Sequence, residues 1–221
     1  MLDEVALPTR PGRTRPPVLP PALRRRLAVI AVIAALVAGV FGAVYAGDGE
    51  PGGVDARVGA AVYGAGWQVA QAVDFLGDPG GAALLAVGGA AVCLLMRWPR
   101  AAVFVVAGPG AAAGTTTLLK PLVGRTIHGD ENLSYPSGHT AFLTAFALTV
   151  ALLVAGRLGL GRTAGPALVL GAALVAGAAM GWAQVAMGSH YPTDALGGWC
   201  TALAVVPATA WTIDAVARKH L

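Results

Sequence analysis

Charge is what this chain has least of. Only 12% of its 221 residues are Asp, Glu, Lys or Arg, and its mean hydropathy is +0.68, whereas a soluble domain carries roughly 25% charge. That excludes an ordinary water-soluble domain. Cysteine is nearly absent: Cys93 and Cys200 both fall within apolar runs. A disulfide there would need Cα atoms within about 7 Å, so buried free thiols are expected. The four histidines and two cysteines lack metal-ligand spacing, so neither a metal site nor a cofactor is read from the sequence. Lysine occurs only at Lys120 and Lys219. The net charge of +4 comes from basic residues before and between apolar runs, a distribution that does not call for nucleic acid.

Long apolar runs are what the chain does have. With 56% hydrophobic residues, it has room for about six helices of about 20 residues, the length that crosses a bilayer. The expected fold is an all-α integral membrane protein with spans at 27–46, 81–96, 101–119, 138–155, 166–186 and 195–213. Residues 1–26 carry six prolines and no apolar periodicity, and are expected to form a disordered basic cytoplasmic tail. Residues 27–215 form the membrane domain, and 216–221 a short second tail in which His220 is an exposed residue. The first run is longer than a signal-peptide core and has no clear cleavage site, so it reads as a retained helix. Between the first two spans, Val58, Val62, Val69, Val73 and Leu76 recur at helical spacing, while Gln68, Gln71 and Asp74 fall elsewhere on the wheel. Arg57 to Asp78 is therefore expected as one interfacial amphipathic helix, with Tyr63 and Trp67 at headgroup level. Ala and Gly fill the spans and allow close helix packing, and Gly108-Pro109-Gly110 is expected to kink the third span.

The basic residues set the orientation. Arg97 and Arg100, Arg157 and Arg162, and Arg218 and Lys219 all fall on the side of the arginine-rich tail. Cationic loops mark the cytoplasmic face, so both termini are expected inside a plasma membrane. Lys120, Arg125, Ser137, His139, His190 and Asp194 then share the opposite, outer surface. Ionisable groups at helix mouths are costly to hide in lipid, and their convergence points to a site.

Two local patterns carry the chemistry. In the first, Tyr135-Pro136-Ser137-Gly138-His139-Thr140 opens the fourth span, where unpaired backbone N–H groups and the helix dipole favour an anion. Gly138 lets backbone approach a phosphoryl oxygen, and His139 stands ready to protonate a leaving oxygen and then activate water. Ser137 is equally a plain N-cap. In the second, His190 and Asp194 are an i, i+4 pair that lies on one face if the turn is helical. Asp194 can hold the Nδ1 proton while Nε2 attacks phosphorus, giving a phosphohistidine. Lys120 and Arg125 either supply positive charge for a phosphate or are snorkelling interfacial cations. Tyr135, Tyr191 and Pro192 read as turn formers, and His128, Asp130 and Glu131 as solvated loop positions.

These residues resemble the type 2 phosphatidic acid phosphatase (PAP2) superfamily of six-helix membrane phosphatases, whose signatures are Lys-x6-Arg-Pro, Pro-Ser-Gly-His and Ser-Arg-x5-His-x3-Asp. The second matches in full. In the first, Lys120 is present, but Ile127 and His128 stand at the Arg-Pro positions. In the third, His190 and Asp194 keep their spacing, while Ala183 and Gln184 replace Ser-Arg. The resemblance implies His190, His139 and Asp194 as catalytic residues. It implies Lys120, Arg125, Ser137, Gly138 and Gln184 as phosphate-binding ones, with Arg125 substituting for the arginine missing at Ile127. Losing two charge-assisted contacts of about 1.5–3 kcal/mol each would slow turnover by roughly 10²- to 10⁴-fold if nothing compensates.

The expected function is metal-independent hydrolysis of a lipid phosphate or diphosphate at the outer membrane–water interface, with a membrane lipid as substrate. By family analogy polyprenyl diphosphate comes first, with phosphatidic acid, phosphatidylglycerol phosphate and a prenyl-linked sugar phosphate open. Phosphoryl transfer to another acceptor, and a catalytically weakened lipid-binding or assembly protein, are the alternatives. A transporter fits less well, because the cluster lies at one surface rather than at the bilayer midplane.

Overall fold

The computed structural model describes residues 17–219. The remainder of the expected tails, including His220, lies outside the described residues. Among the described residues eight α-helices follow one another: α1 Arg24–Val44, α2 Gly53–Val62, α3 Trp67–Asp74, α4 Pro79–Leu95, α5 Pro99–Val123, α6 Gly138–Arg157, α7 Ala164–Ala186 and α8 Pro192–Lys219. Among the described residues there is no strand, only a single antiparallel bridge between Thr126 and Leu133. Among the described residues, five helices are long and apolar enough to cross a membrane: the turn at Pro21 continuing into α1, then α5, α6, α7 and α8.

The second expected span, 81–96, takes a different form. At 17 residues α4 is about 25 Å long, short of a bilayer core of about 30 Å. It qualifies only together with α3, across a bend of 54°. The single amphipathic helix expected from Arg57 to Asp78 is therefore not what forms. Gly64 (φ +76°) and Gly66 (φ +59°) take a left-handed backbone that side-chain-bearing residues rarely adopt, and they separate α2 from α3. The second half then belongs to the bent pair.

Helix α6 is central and packs against α5, α7 and α8, while α1 lies along α8. The core is built from small, branched and aromatic residues of these helices, including Phe104, Leu148, Leu152, Val169 and Val206. Val29, Val32, Ile33 and Leu36 of α1 and Leu84 and Val87 of α4 are exposed, which in a membrane protein is the lipid-facing surface. Cys93 and Cys200 are buried free thiols.

The end of the expected disordered tail is ordered. Val18 and Leu19 are buried, and their backbone N–H groups donate to Asp214 Oδ1 and Oδ2 of α8 at 2.9 and 3.0 Å. A buried carboxylate needs donors and an entering strand of backbone needs acceptors, so each satisfies the other. Helix α8 also runs on to Lys219, through residues expected to lie in a tail.

Candidate active site

The site forms where the N-termini of α6 and α8 meet. Ser137 Oγ accepts a hydrogen bond from Thr140 N at 3.3 Å and so caps α6. Ser137 N donates to the Asp194 carbonyl at 3.0 Å. At Gly198 the two helices are so close that an added Cβ would stand 2.3 Å from Ser137 O and 3.2 Å from Ala141 N. Glycine thus permits the backbone contact that fixes the Pro-Ser-Gly-His turn beside the His-x3-Asp turn.

In front of this junction is a cleft of about 740 Å³, lined by residues of the α3–α4 turn, the ends of α5 and α7, the start of α6 and the loop before α8. Lys120, Gly138, His139, Gln184 and His190 all face it, so five of the eight expected site residues meet in one place. The His190 side chain is only 9% exposed, and its Nδ1 lies 3.5 Å from Asp194 Oδ2. That is longer than a well-formed hydrogen bond, and Nδ1 has no other partner. Burial pushes the His190 imidazole below its ordinary value; Asp194 opposes this, while Lys120 and His139 add to it. The nucleophilic candidate is therefore neutral, with its lone pair available, at physiological pH. Lys120 Nζ donates to Leu133 O at 2.7 Å, which anchors it at the cleft wall.

Three expected site residues stand behind the cleft rather than in it. Asp194 is fully buried; its Oδ2 accepts from Tyr191 N at 3.0 Å. Ser137 is fully buried as well, with its hydroxyl oxygen committed to the α6 cap. Arg125 departs furthest from expectation. It is 0% exposed and is stacked between the rings of Tyr45 and Tyr191, at 4.1 and 4.4 Å from their centroids. Its terminal nitrogens donate to Asp194 Oδ1 at 2.7 Å, Thr193 Oγ1 at 2.6 Å and Asp55 Oδ2 at 2.7 Å. Burial works against its charge, but the two carboxylates outweigh that and hold its pKa above the ordinary value. Fully buried and paired with two carboxylates, Arg125 does not line the cleft. The two-residue offset from the expected arginine is not bridged by a loop adjustment.

Two carboxylates at the cleft were not singled out from sequence. Asp78 Oδ1 lies 3.2 Å, and Asp74 Oδ1 3.7 Å, from His139 Nε2. Gln184, 1% exposed, turns its Nε2 to Asp74 Oδ1, so the residue at the missing arginine's position faces an acid. Asp74, Asp78 and His139 bring ligand atoms within 4.8 Å of one another, close enough to share a cation. Sequence spacing gave no sign of this, because the three come from different elements. Within the group Asp78 contacts His139, and Asp74 accepts from Gln184.

The PAP2 superfamily model matches residues 87–218. Among solved structures, the chain is similar to a transmembrane PAP2-type phosphatidylglycerolphosphate phosphatase from Bacillus subtilis. The TM-score is 0.63 and the identity 19%, over 86% of this chain and 96% of that one. No curated protein sequence gives a significant match.

Proposed function

The chain belongs to the PAP2 superfamily, and from that premise we propose that it removes phosphate from a membrane lipid by way of a phosphohistidine at His190. As a PAP2-type lipid phosphate phosphatase it needs a nucleophile, an acid and an anion cradle at one membrane surface. The observation that carries the reading is the shared cleft, where His190, His139, Lys120 and the Gly138 end of α6 converge with Asp194 behind His190.

In the first step His190 Nε2 attacks phosphorus, and the bond from phosphorus to the lipid oxygen breaks, its electron pair staying on that oxygen. His139 delivers a proton to it. Asp194 keeps the Nδ1 proton and offsets the positive charge that grows on the ring. In the second step water gives a proton to His139 as its oxygen attacks phosphorus, the N–P bond breaks, and inorganic phosphate leaves. Lys120 Nζ and the N–H groups opening α6 receive the phosphoryl oxygens.

The basic loops lie on the side opposite the cleft, which supports an extracytoplasmic site with both termini inside. Polyprenyl diphosphate is the first substrate to assay. Phosphatidylglycerol phosphate, the substrate class of the solved Bacillus subtilis neighbour, is the second. The test is phosphate release by purified protein in detergent with EDTA across lipid phosphates and diphosphates, beside His190→Ala. Release by the wild type alone is expected. Equal release by His190→Ala overturns the nucleophile, phosphate appearing on an added alcohol favours transfer, and tight binding without turnover favours the lipid-binding alternative.

A further inference from the structure

The buried arginine behind the site has a counterpart that the reaction scheme leaves unused. Asp55, in the first turn of α2, is 2% exposed. Its Oδ2 accepts from Arg125 Nη2 at 2.7 Å and from Thr193 Oγ1 at 2.8 Å, and its Oδ1 from Thr193 N at 3.0 Å. The other edge of the same guanidinium holds Asp194 Oδ1 at 2.7 Å. One cation is thus shared by two carboxylates. Asp194 turns its second oxygen, Oδ2, to His190 Nδ1.

A guanidinium paired with Asp194 alone would spend most of that carboxylate's field on itself. With Asp55 on the other side, the assembly of Asp55, Arg125 and Asp194 keeps one net negative charge, fixed next to the ring that becomes positive when it attacks phosphorus. Fixed charge aimed at developing charge needs no reorganisation in the reaction, and it acts strongly where water is excluded. The geometry is over-determined: Thr193 bonds both Asp55 and Arg125, and the Tyr45 and Tyr191 rings clamp the guanidinium plane. Removing one member of such a buried set strands the others.

We infer that Asp55 and Arg125 are positioning residues for the nucleophile. Arg125 fixes the rotamer of Asp194, and Asp55 balances Arg125 so that Asp194 retains the charge that supports His190. The inference rests on His190 being the nucleophile, yet it makes an electrostatic claim that is read without turnover.

The charged and titratable groups facing His190 are Asp194 from α8 with Arg125 and Asp55 behind it, Lys120 from α5, and His139 from α6. Asp74, Asp78 and His128 lie across the cleft. Of these, only the buried set changes in the test. The full chain, labelled with ¹⁵N-histidine in detergent, is titrated by NMR, with the His190 signal assigned from its loss in His190→Gln. Asp55→Asn is expected to lower the His190 midpoint and Arg125→Gln to raise it. Each shift is about one pH unit, the effect of a unit charge roughly 10 Å away at an effective dielectric constant near 20. If Arg125→Gln does not fold, the double variant Asp55→Asn/Arg125→Gln carries the argument. Its net charge equals that of the wild type, and its midpoint is expected to return to the wild-type value. Shifts of the same sign in the two single variants, an unmoved midpoint in Asp55→Asn, or no return in the double variant overturns the inference. None of these results depends on phosphatase activity. Failure of the wild type to release phosphate, with the opposite shifts intact, would instead count against the proposed reaction.

Discussion

Replacing Gly198 by alanine adds one methyl group at the point where α8 touches the turn that opens α6. The new Cβ would lie 2.3 Å from Ser137 O, a backbone atom that cannot rotate away, and 3.2 Å from Ala141 N. To reach the 3.4 Å at which ordinary contact begins, the two helix ends must separate by about 1 Å. Overpacking of this kind costs about 1–3 kcal/mol. The catalytic cost is larger, because the separation falls between the element carrying His139 and the one carrying Asp194, and the Ser137 N to Asp194 O bond of 3.0 Å spans the same gap. A misplacement of about 1 Å costs on the order of 10²-fold in rate. Gly198→Ala is therefore expected to fold with a modestly lowered Tm and to lose about 10²-fold in kcat, measured as steady-state phosphate release beside a thermal melt. A folded variant with wild-type kcat would refute the idea that this backbone contact sets the geometry of the site.

Ser137→Ala separates capping from phosphate contact: it is expected to lose about 0.5–2 kcal/mol of stability, read by thermal melting, with KM for the lipid phosphate unchanged. Gln184→Arg restores positive charge to the cleft wall, and one charge-assisted contact of about 1.5–3 kcal/mol shared with Asp74 is expected to raise kcat/KM roughly tenfold; a fall in kcat/KM in a folded variant contradicts it. Because burial holds the His190 pKa below its ordinary value, the ring stays neutral as pH falls through 6.5. The acidic limb of kcat/KM is accordingly expected below that pH, and a limb above it would show that His190 is not the group that must be unprotonated.

Local chemistry was readable before the fold. The Ser137 cap and the i, i+4 pairing of His190 with Asp194 are set by neighbours in sequence, and the apolar runs of α1 and α5 to α8 follow from length and composition alone. What escaped were relationships across the bundle. Arg125 was expected to reach forward to a phosphate, because its partners, Asp55 at 70 residues and Asp194 at 69 residues away, leave no periodic trace. Asp74 read as the polar face of an interfacial helix. Only the break at Gly64 and Gly66 and the bend before Pro79 carry it to Gln184, 110 residues on, and bring Asp78 to His139, 61 residues on. The absence of both family arginines was visible in the sequence. That two carboxylates stand in the same cleft was not.

The most direct test of the account is to mix the enzyme with a ³²P-labelled lipid phosphate, quench with base within the first turnovers, and map the label by mass spectrometry of peptides kept at alkaline pH. A base-stable, acid-labile phosphoryl group on His190, absent from His190→Ala, is the expected result. Phosphate release at an undiminished rate with no label on His190 at any quench time would contradict it.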